Sequence, residues 1–338
     1  MYLRLLSVVF LICCFVFGCT PEFRIEEKMN GISLVSTRDS LADQQALDIK
    51  NINANYVAVM PYAFIADVKD PQVYYDTNRQ WFGERKIGIR QYIQCLKKGG
   101  LKVMLKPHVW VQHGIFTGDM EPDSEKAWQK LEDEYTKYIL DFARVAEDEG
   151  VEVFCIGNEL NKFAVQRSEY FKTLIASVRV LYSGKITYAE NWDSFESVDF
   201  WEDLDYIGVN AYYPLSQNQT PLKEELFDSW KNYKKKLKHL SYKEEKPVLF
   251  TEYGYRSMDH STREPWYAKR ITGRVNHTAQ SVALEAIHES FWNENWFAGG
   301  FLWKWFPDRS RVGGLADNRF TVQNKPAEMV IKSLYKKR

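Results

Sequence analysis

Eight short apolar runs, each about the length of a buried strand, recur along the chain with segments of helical period between them. They cover residues 31–35, 56–64, 102–110, 152–160, 185–192, 206–213, 247–255 and 299–306. Runs that are apolar on both faces belong to sheets covered on both sides, and such sheets are mostly parallel. Between the runs, residues 40–51, 85–98, 124–149, 169–182, 222–240 and 278–293 carry helical patterns, and 327–337 follows the last run. Gly99-Gly100, Gly150 and Gly184 close three of these segments, as helix C-termini favour. Only a short helix, around 197–202, fits between the fifth and sixth runs. Eight strand-helix units close naturally, so the expected fold is α/β, a single (β/α)8 TIM barrel over residues 29–338. A doubly wound open sheet is the alternative, but no Gly-rich nucleotide turn follows the first run.

Two of the runs end in a glutamate. Val153-Phe154-Cys155-Ile156-Gly157-Asn158-Glu159 closes the fourth, and Pro247-Val248-Leu249-Phe250-Thr251-Glu252 the seventh. In a barrel the C-terminal strand ends converge on one mouth, so Glu159 and Glu252 would face each other across it. Glycoside hydrolysis needs such a pair, one carboxyl to protonate the leaving oxygen and one to attack or to activate water. Alone, Glu159 would read equally well as a helix-start carboxylate and Asn158 as a cap. The second glutamate in the matching position is what favours chemistry.

Composition narrows the substrate. With 45 basic and 45 acidic residues, nothing global favours nucleic acid or an anionic polymer, and a neutral polysaccharide or oligosaccharide is expected. Aromatic residues make up 15% of the chain, with 11 Trp and 20 Tyr, more than the core needs. Several lie near strand ends, where flat sugar faces can stack. Tyr62, His108 and Trp110 end the second and third runs, Trp192 the fifth, Asn210 and Tyr212 the sixth, and Trp303 and Lys304 the eighth. All are candidate substrate contacts, each with a packing, capping or solvent-facing alternative. His108 and His113 do not match a helical metal pair, and no Cys spacing suggests zinc. No metal and no organic cofactor is expected, and Cys95 and Cys155 read as free buried thiols.

Residues 1–18 do not belong to the barrel. A start containing Arg4 leads into an apolar stretch of signal-peptide length that ends Val16-Phe17-Gly18-Cys19. This resembles a bacterial lipobox, although Phe17 is bulkier than the residue usual at its position. The resemblance implies cleavage before Cys19, lipidation of its thiol, a polar tether over 19–28 and attachment to a membrane surface of the bacterial cell envelope. A secreted chain or an uncleaved anchor are the alternatives.

The pair formed by Asn158-Glu159 and Glu252 resembles the clan of retaining (β/α)8 glycosidases, clan A. Ile156-Gly157-Asn158-Glu159, Asn210-Ala211-Tyr212-Tyr213-Pro214 and Thr251-Glu252-Tyr253-Gly254-Tyr255 are similar to glycoside hydrolase family 113, whose known activity is on β-1,4-mannans. The resemblance implies Glu159 as acid/base, Glu252 as nucleophile, Asn158 at the sugar 2-hydroxyl and Trp303 as the floor beneath the cleaved sugar. The same mechanism on a β-glucan or xylan, and a glycan-binding lipoprotein without turnover, remain the alternatives.

Overall fold

The computed structural model describes residues 23, 25–267 and 273–336. The expected signal segment, the proposed lipid site Cys19 and residues 20–22 and 24 of the expected tether lie outside these residues. Eleven strands run through them: β1 Met29–Leu34, β2 Tyr56–Val59, β3 Tyr62–Ile65, β4 Val73–Tyr74, β5 Lys102–Leu105, β6 His108–Val111, β7 Val153–Asn158, β8 Lys185–Asn191, β9 Tyr206–Asn210, β10 Val248–Tyr253 and β11 Phe297–Trp305. Eight of these, β1, β2, β5, β7, β8, β9, β10 and β11, close in that order into a parallel barrel, with β11 pairing back onto β1. The expected (β/α)8 barrel is therefore the fold.

Alternation along each strand divides the core. Val57 and Val59 of β2 join the large apolar cluster between strands and helices, while Tyr56 and Ala58 belong to a smaller one with Met104, Val153, Leu249 and Phe301 inside the barrel. The helices are α1 Asp43–Lys50, α2 Lys86–Lys98, α3 Glu125–Asp148, α4 Asn161–Gln166, α5 Ser168–Leu181, α6 Lys223–Glu244, α7 His277–Phe291 and α8 Pro326–Lys336. In α3 the sequence explains both limits and packing. Ser124 Oγ accepts from the Ala127 amide at its start, and Gly150 takes a left-handed conformation just beyond its end. Leu131, Tyr135, Tyr138, Ile139 and Phe142 form its buried stripe, each side chain stabilising the fold by roughly 1.5–3 kcal/mol. Between β8 and β9 the short helix expected near 197–202 is replaced by two 3-10 turns, Phe195–Ser197 and Trp201–Asp203.

Two expected strands prove to be two strands each. The runs 56–64 and 102–110 break at Pro61 and Pro107, which cannot donate to a ladder. The barrel strands β2 and β5 end before these prolines, and the chain resumes beyond them as a separate sheet of order β4, β3, β6. There Tyr62 lies opposite His108 and Phe64 opposite Trp110, and β4 adds antiparallel with Tyr74 opposite Phe64. Val73, Ala63, Ile65, Val109 and Val111 point the other way into the main core. The small sheet thus continues the barrel wall beyond the ends of β2 and β5. Cys95 and Cys155 are both buried and free.

Candidate active site

Glu159 follows directly on β7, where the backbone makes a sharp left-handed turn (φ 54°). A non-glycine residue there costs of order 1 kcal/mol, so its surroundings must hold it. The Glu159 amide donates to Ala189 O at 2.8 Å. The next amide, of Leu160, donates to Tyr188 Oη at 3.0 Å, and that hydroxyl donates to Glu190 Oε2 at 2.9 Å. The other oxygen of Glu190 accepts from the Asn191 amide and from Ser194 Oγ. Gly157 lets the Tyr188 ring come close, since a Cβ on it would stand 2.9 Å from that ring. A strut of β8 side chains therefore fixes the turn that carries the glutamate.

Glu252, near the end of β10, is 5% exposed and tightly held. Lys106, fully buried, donates to its Oε1 at 2.6 Å, and Tyr212 Oη donates to its Oε2 at 2.8 Å. Asn210 ties the two glutamates together. Its Nδ2 donates to Glu159 Oε1 at 2.7 Å and to Asn158 Oδ1 at 3.0 Å, while its Oδ1 accepts from Thr251 Oγ1 at 2.9 Å and from Lys106 Nζ at 3.5 Å. With both ends of the amide occupied, its orientation is fixed.

The electrostatics of the two carboxyls differ. Burial, and after it the charge of Glu252, push Glu159 up to about 7, against the Asn210 hydrogen bond and the Lys106 charge, with Glu190 adding to the rise. Glu190 is itself raised by burial. His108 is held well below the usual histidine range, by burial and then by Lys106. Its ring is therefore neutral at pH 7, and Nε2, 4.0 Å from Glu252 Oε1, makes no ion pair. That buried nitrogen has no hydrogen-bond partner within the protein. Burial pushes Lys304 down while Glu252 draws it up. Its ammonium lies 5.1 Å from the centre of the Trp303 ring.

Both glutamates open into a cleft of about 630 Å³, walled by Tyr212, Trp303, Trp192 and Trp266 among others. The Trp192 and Trp266 rings stack at 5.1 Å from two different loops. Of the residues singled out in the sequence, Glu159, Glu252, Asn158, Asn210 and Tyr212 form one hydrogen-bonded cluster. Trp192 and Trp303 line the cleft, and Lys304 lies against the Trp303 ring, within reach of the charge of Glu252. Tyr62 and His108 stand behind Glu252, their rings 5.2 Å apart. Trp110 lies two residues farther out, 61% exposed and outside the cleft lining. Sequence reasoning missed Lys106 and Glu190. Each ends an apolar run in a charge, Val103-Met104-Leu105-Lys106 and Tyr188-Ala189-Glu190, the same signal that revealed the two glutamates. Among the described residues no group of three or more His, Cys, Asp or Glu is placed to hold a metal.

Comparison with known proteins bears on this site. The model of glycoside hydrolase family 113 matches residues 35–325. The structure is similar to the GH113 β-mannanase AaManA from Alicyclobacillus acidocaldarius, solved in complex with ManMIm. Identity is 25%, covering 92% of this chain and 97% of that one, with a TM-score of 0.80. A second GH113 β-1,4-mannanase, also solved as a complex, is similar at 24% identity, with 92% and 100% covered and a TM-score of 0.78. The β-glucuronidase of Ruminococcus gnavus shares the fold at 17% identity and a TM-score of 0.62, and the match takes in 50% of that longer chain. No curated protein sequence matches. A family match over most of the chain, on a closed barrel with two glutamates at one mouth, makes this protein a member of glycoside hydrolase family 113 and a glycoside hydrolase.

Proposed function

We propose that the protein is a retaining β-mannanase that cleaves β-1,4-mannosidic bonds in mannan or manno-oligosaccharides by double displacement. The observation that carries this reading is the contrast between the two glutamates. Glu159, pushed up to about 7, keeps its proton near neutral pH and serves as the acid. Glu252, receiving hydrogen bonds from an ammonium and a phenol, is the attacking carboxylate.

The steps follow from these roles. Glu252 attacks the anomeric carbon while Glu159 gives its proton to the departing glycosidic oxygen. This breaks the C–O bond and leaves a glycosyl ester on Glu252. Glu159, now ionised, takes a proton from water, which attacks the same carbon and frees Glu252. Retention calls for carboxyl groups about 5–5.5 Å apart. The Asn210 amide, which touches Glu159 directly and reaches Glu252 through Lys106, supports a short separation. Asn158, oriented by Asn210, is positioned for the sugar 2-hydroxyl, and Trp303 for the sugar face. The choice of mannan is supported by the resemblance to two β-mannanases.

Hydrolysis of mannohexaose, cellohexaose and xylohexaose by the chain starting at Thr20, with Glu252→Ala as control, tests the assignment. Cleavage of mannohexaose, abolished in the variant, is expected. Cleavage of another member only would keep the mechanism and move the substrate to a β-glucan or xylan. Binding without cleavage would favour a glycan-binding protein. We propose further that Cys19 carries a lipid that tethers the barrel to a membrane surface of the cell envelope. Metabolic labelling with a palmitate analogue, lost in Cys19→Ala, is the expected result, and label retained in that variant would refute it.

A further inference from the structure

The barrel has a second end, opposite the cleft, and the chain from the proposed lipid site arrives there. A cavity of about 590 Å³ at that end is lined by Tyr56, Lys102, Lys185, Tyr206 and Ala298, at or next to the starts of β2, β5, β8, β9 and β11. Residues 23 and 25–28, expected as part of a polar tether, are built onto it. The Phe23 ring meets Tyr242, near the C-terminus of α6, edge to face at 5.4 Å. Ile25 packs on the apolar cluster inside the barrel, which begins here with Met29 and Tyr56. Glu27 pairs with Lys102 at 3.0 Å. Lys28 Nζ donates to Glu294 O at 2.7 Å and to Phe297 O, and Lys28 O accepts from Asn55 Nδ2 at 2.9 Å. The chain is thus pinned to this end at Phe23 and again from Ile25 to the start of β1.

We propose that this end is the surface the protein turns to a lipid bilayer, so that the catalytic mouth opens away from the membrane. The inference rests on the lipid proposed at Cys19 and adds how the barrel stands above it. Four residue steps separate Cys19 from Phe23, so even a fully extended chain keeps the lipidated residue within about 14 Å of the Phe23 contact. The mouth is beyond that reach. Helix α6 runs from Lys223 at the mouth end to Glu244 at the other, 22 residues and about 33 Å, and it is its far end that touches Phe23. Lys102, Lys185 and Lys243 at this end are each paired with a carboxylate, of Glu27, Asp205 and Glu244. The short tether, and not attraction to anionic lipid, therefore sets the orientation. A cleft turned outward takes glycan from the solvent side and not from lipids of the bilayer that carries it.

The test places the full-length lipidated protein in phosphatidylcholine vesicles that contain a lipid with a nitroxide on its headgroup. A dye is attached at Lys243→Cys or at Leu222→Cys, exposed positions at the two ends of α6, while Cys95 and Cys155 are buried and escape the label. Nitroxide quenching needs contact, so the dye at position 243 should lose most of its fluorescence and the dye at 222 none. A long flexible Gly-Ser segment inserted after Thr20 should remove the difference. Equal quenching at both positions, or stronger quenching at 222, in protein that takes up the palmitate label would refute the orientation and leave the anchor standing. A difference that survives the Gly-Ser insertion would also refute it, since the short tether is its stated cause. Protein that takes up no label would refute the anchor, and the orientation with it.

Discussion

Replacing Glu159 with Gln should make the protein more stable while disabling it, and the gain should depend on pH. Glu159, half-buried at the cleft, is pushed from an ordinary 4.5 up to about 7, by desolvation first and then by the facing Glu252. Folding therefore favours its protonated form. The stability that goes with this is fully present below pH 4.5 and is lost as pH rises through 7. A rise of about 2.5 units at 1.36 kcal/mol each amounts to roughly 3 kcal/mol once the group is ionised. Glutamine cannot ionise, and its side-chain oxygen can still accept from Asn210. The gap between variant and wild type should therefore widen by about 2–3 kcal/mol between pH 5 and pH 8. Urea unfolding of both proteins at the two pH values measures it. A gap that is the same at pH 5 and pH 8 would refute the argument, because it would mean that Glu159 does not titrate between them in the folded protein.

The other expectations concern the partners of the pair. Lys106→Met strands Glu252 in a buried site without its cation, which should cost about 3–5 kcal/mol of stability and nearly all activity; a loss below 1 kcal/mol by urea midpoint would show that the pair is not buried as described. Tyr212→Phe removes one donor to Glu252 and should lower kcat about 10- to 100-fold with little change in KM, whereas a change in KM alone would make Tyr212 a substrate contact only. With Glu159 as the proposed acid of the first step, kcat/KM for mannohexaose should fall as pH rises through about 7. A profile flat to pH 9 would exclude Glu159 as the acid.

The barrel was legible because its period survives in the sequence: eight apolar runs, with helical stripes and glycine stops between them. The two catalytic candidates were legible for a related reason, since a glutamate closing an apolar run is poorly explained by packing. Lys106 carries the same signature and was overlooked, because a lysine after a strand usually reaches solvent. Only the convergence of β5 and β10 brings it to Glu252. Glu190 was hidden for the converse reason: its role is to hold the turn at Glu159 through Tyr188, a connection across two strands that no spacing encodes. The small sheet was hidden by continuity. Residues 56–64 stay apolar across Pro61, and 102–110 turn apolar again beyond Lys106-Pro107-His108, so the pattern gave no sign of the break at the two prolines, which lack a donor. The same oversight obscured Trp110, which the structure sets on a separate sheet beside the mouth rather than at a barrel strand end.

The stereochemistry of the first product tests the central claim most directly. Proton NMR of mannohexaose hydrolysis, recorded within minutes of adding enzyme, distinguishes the newly formed anomer before it equilibrates. Attack by Glu252 followed by water delivered through Glu159 inverts the anomeric carbon twice, so the β-anomer should appear first. Appearance of the α-anomer first would mean a single displacement by water, and would remove Glu252 from the role of nucleophile.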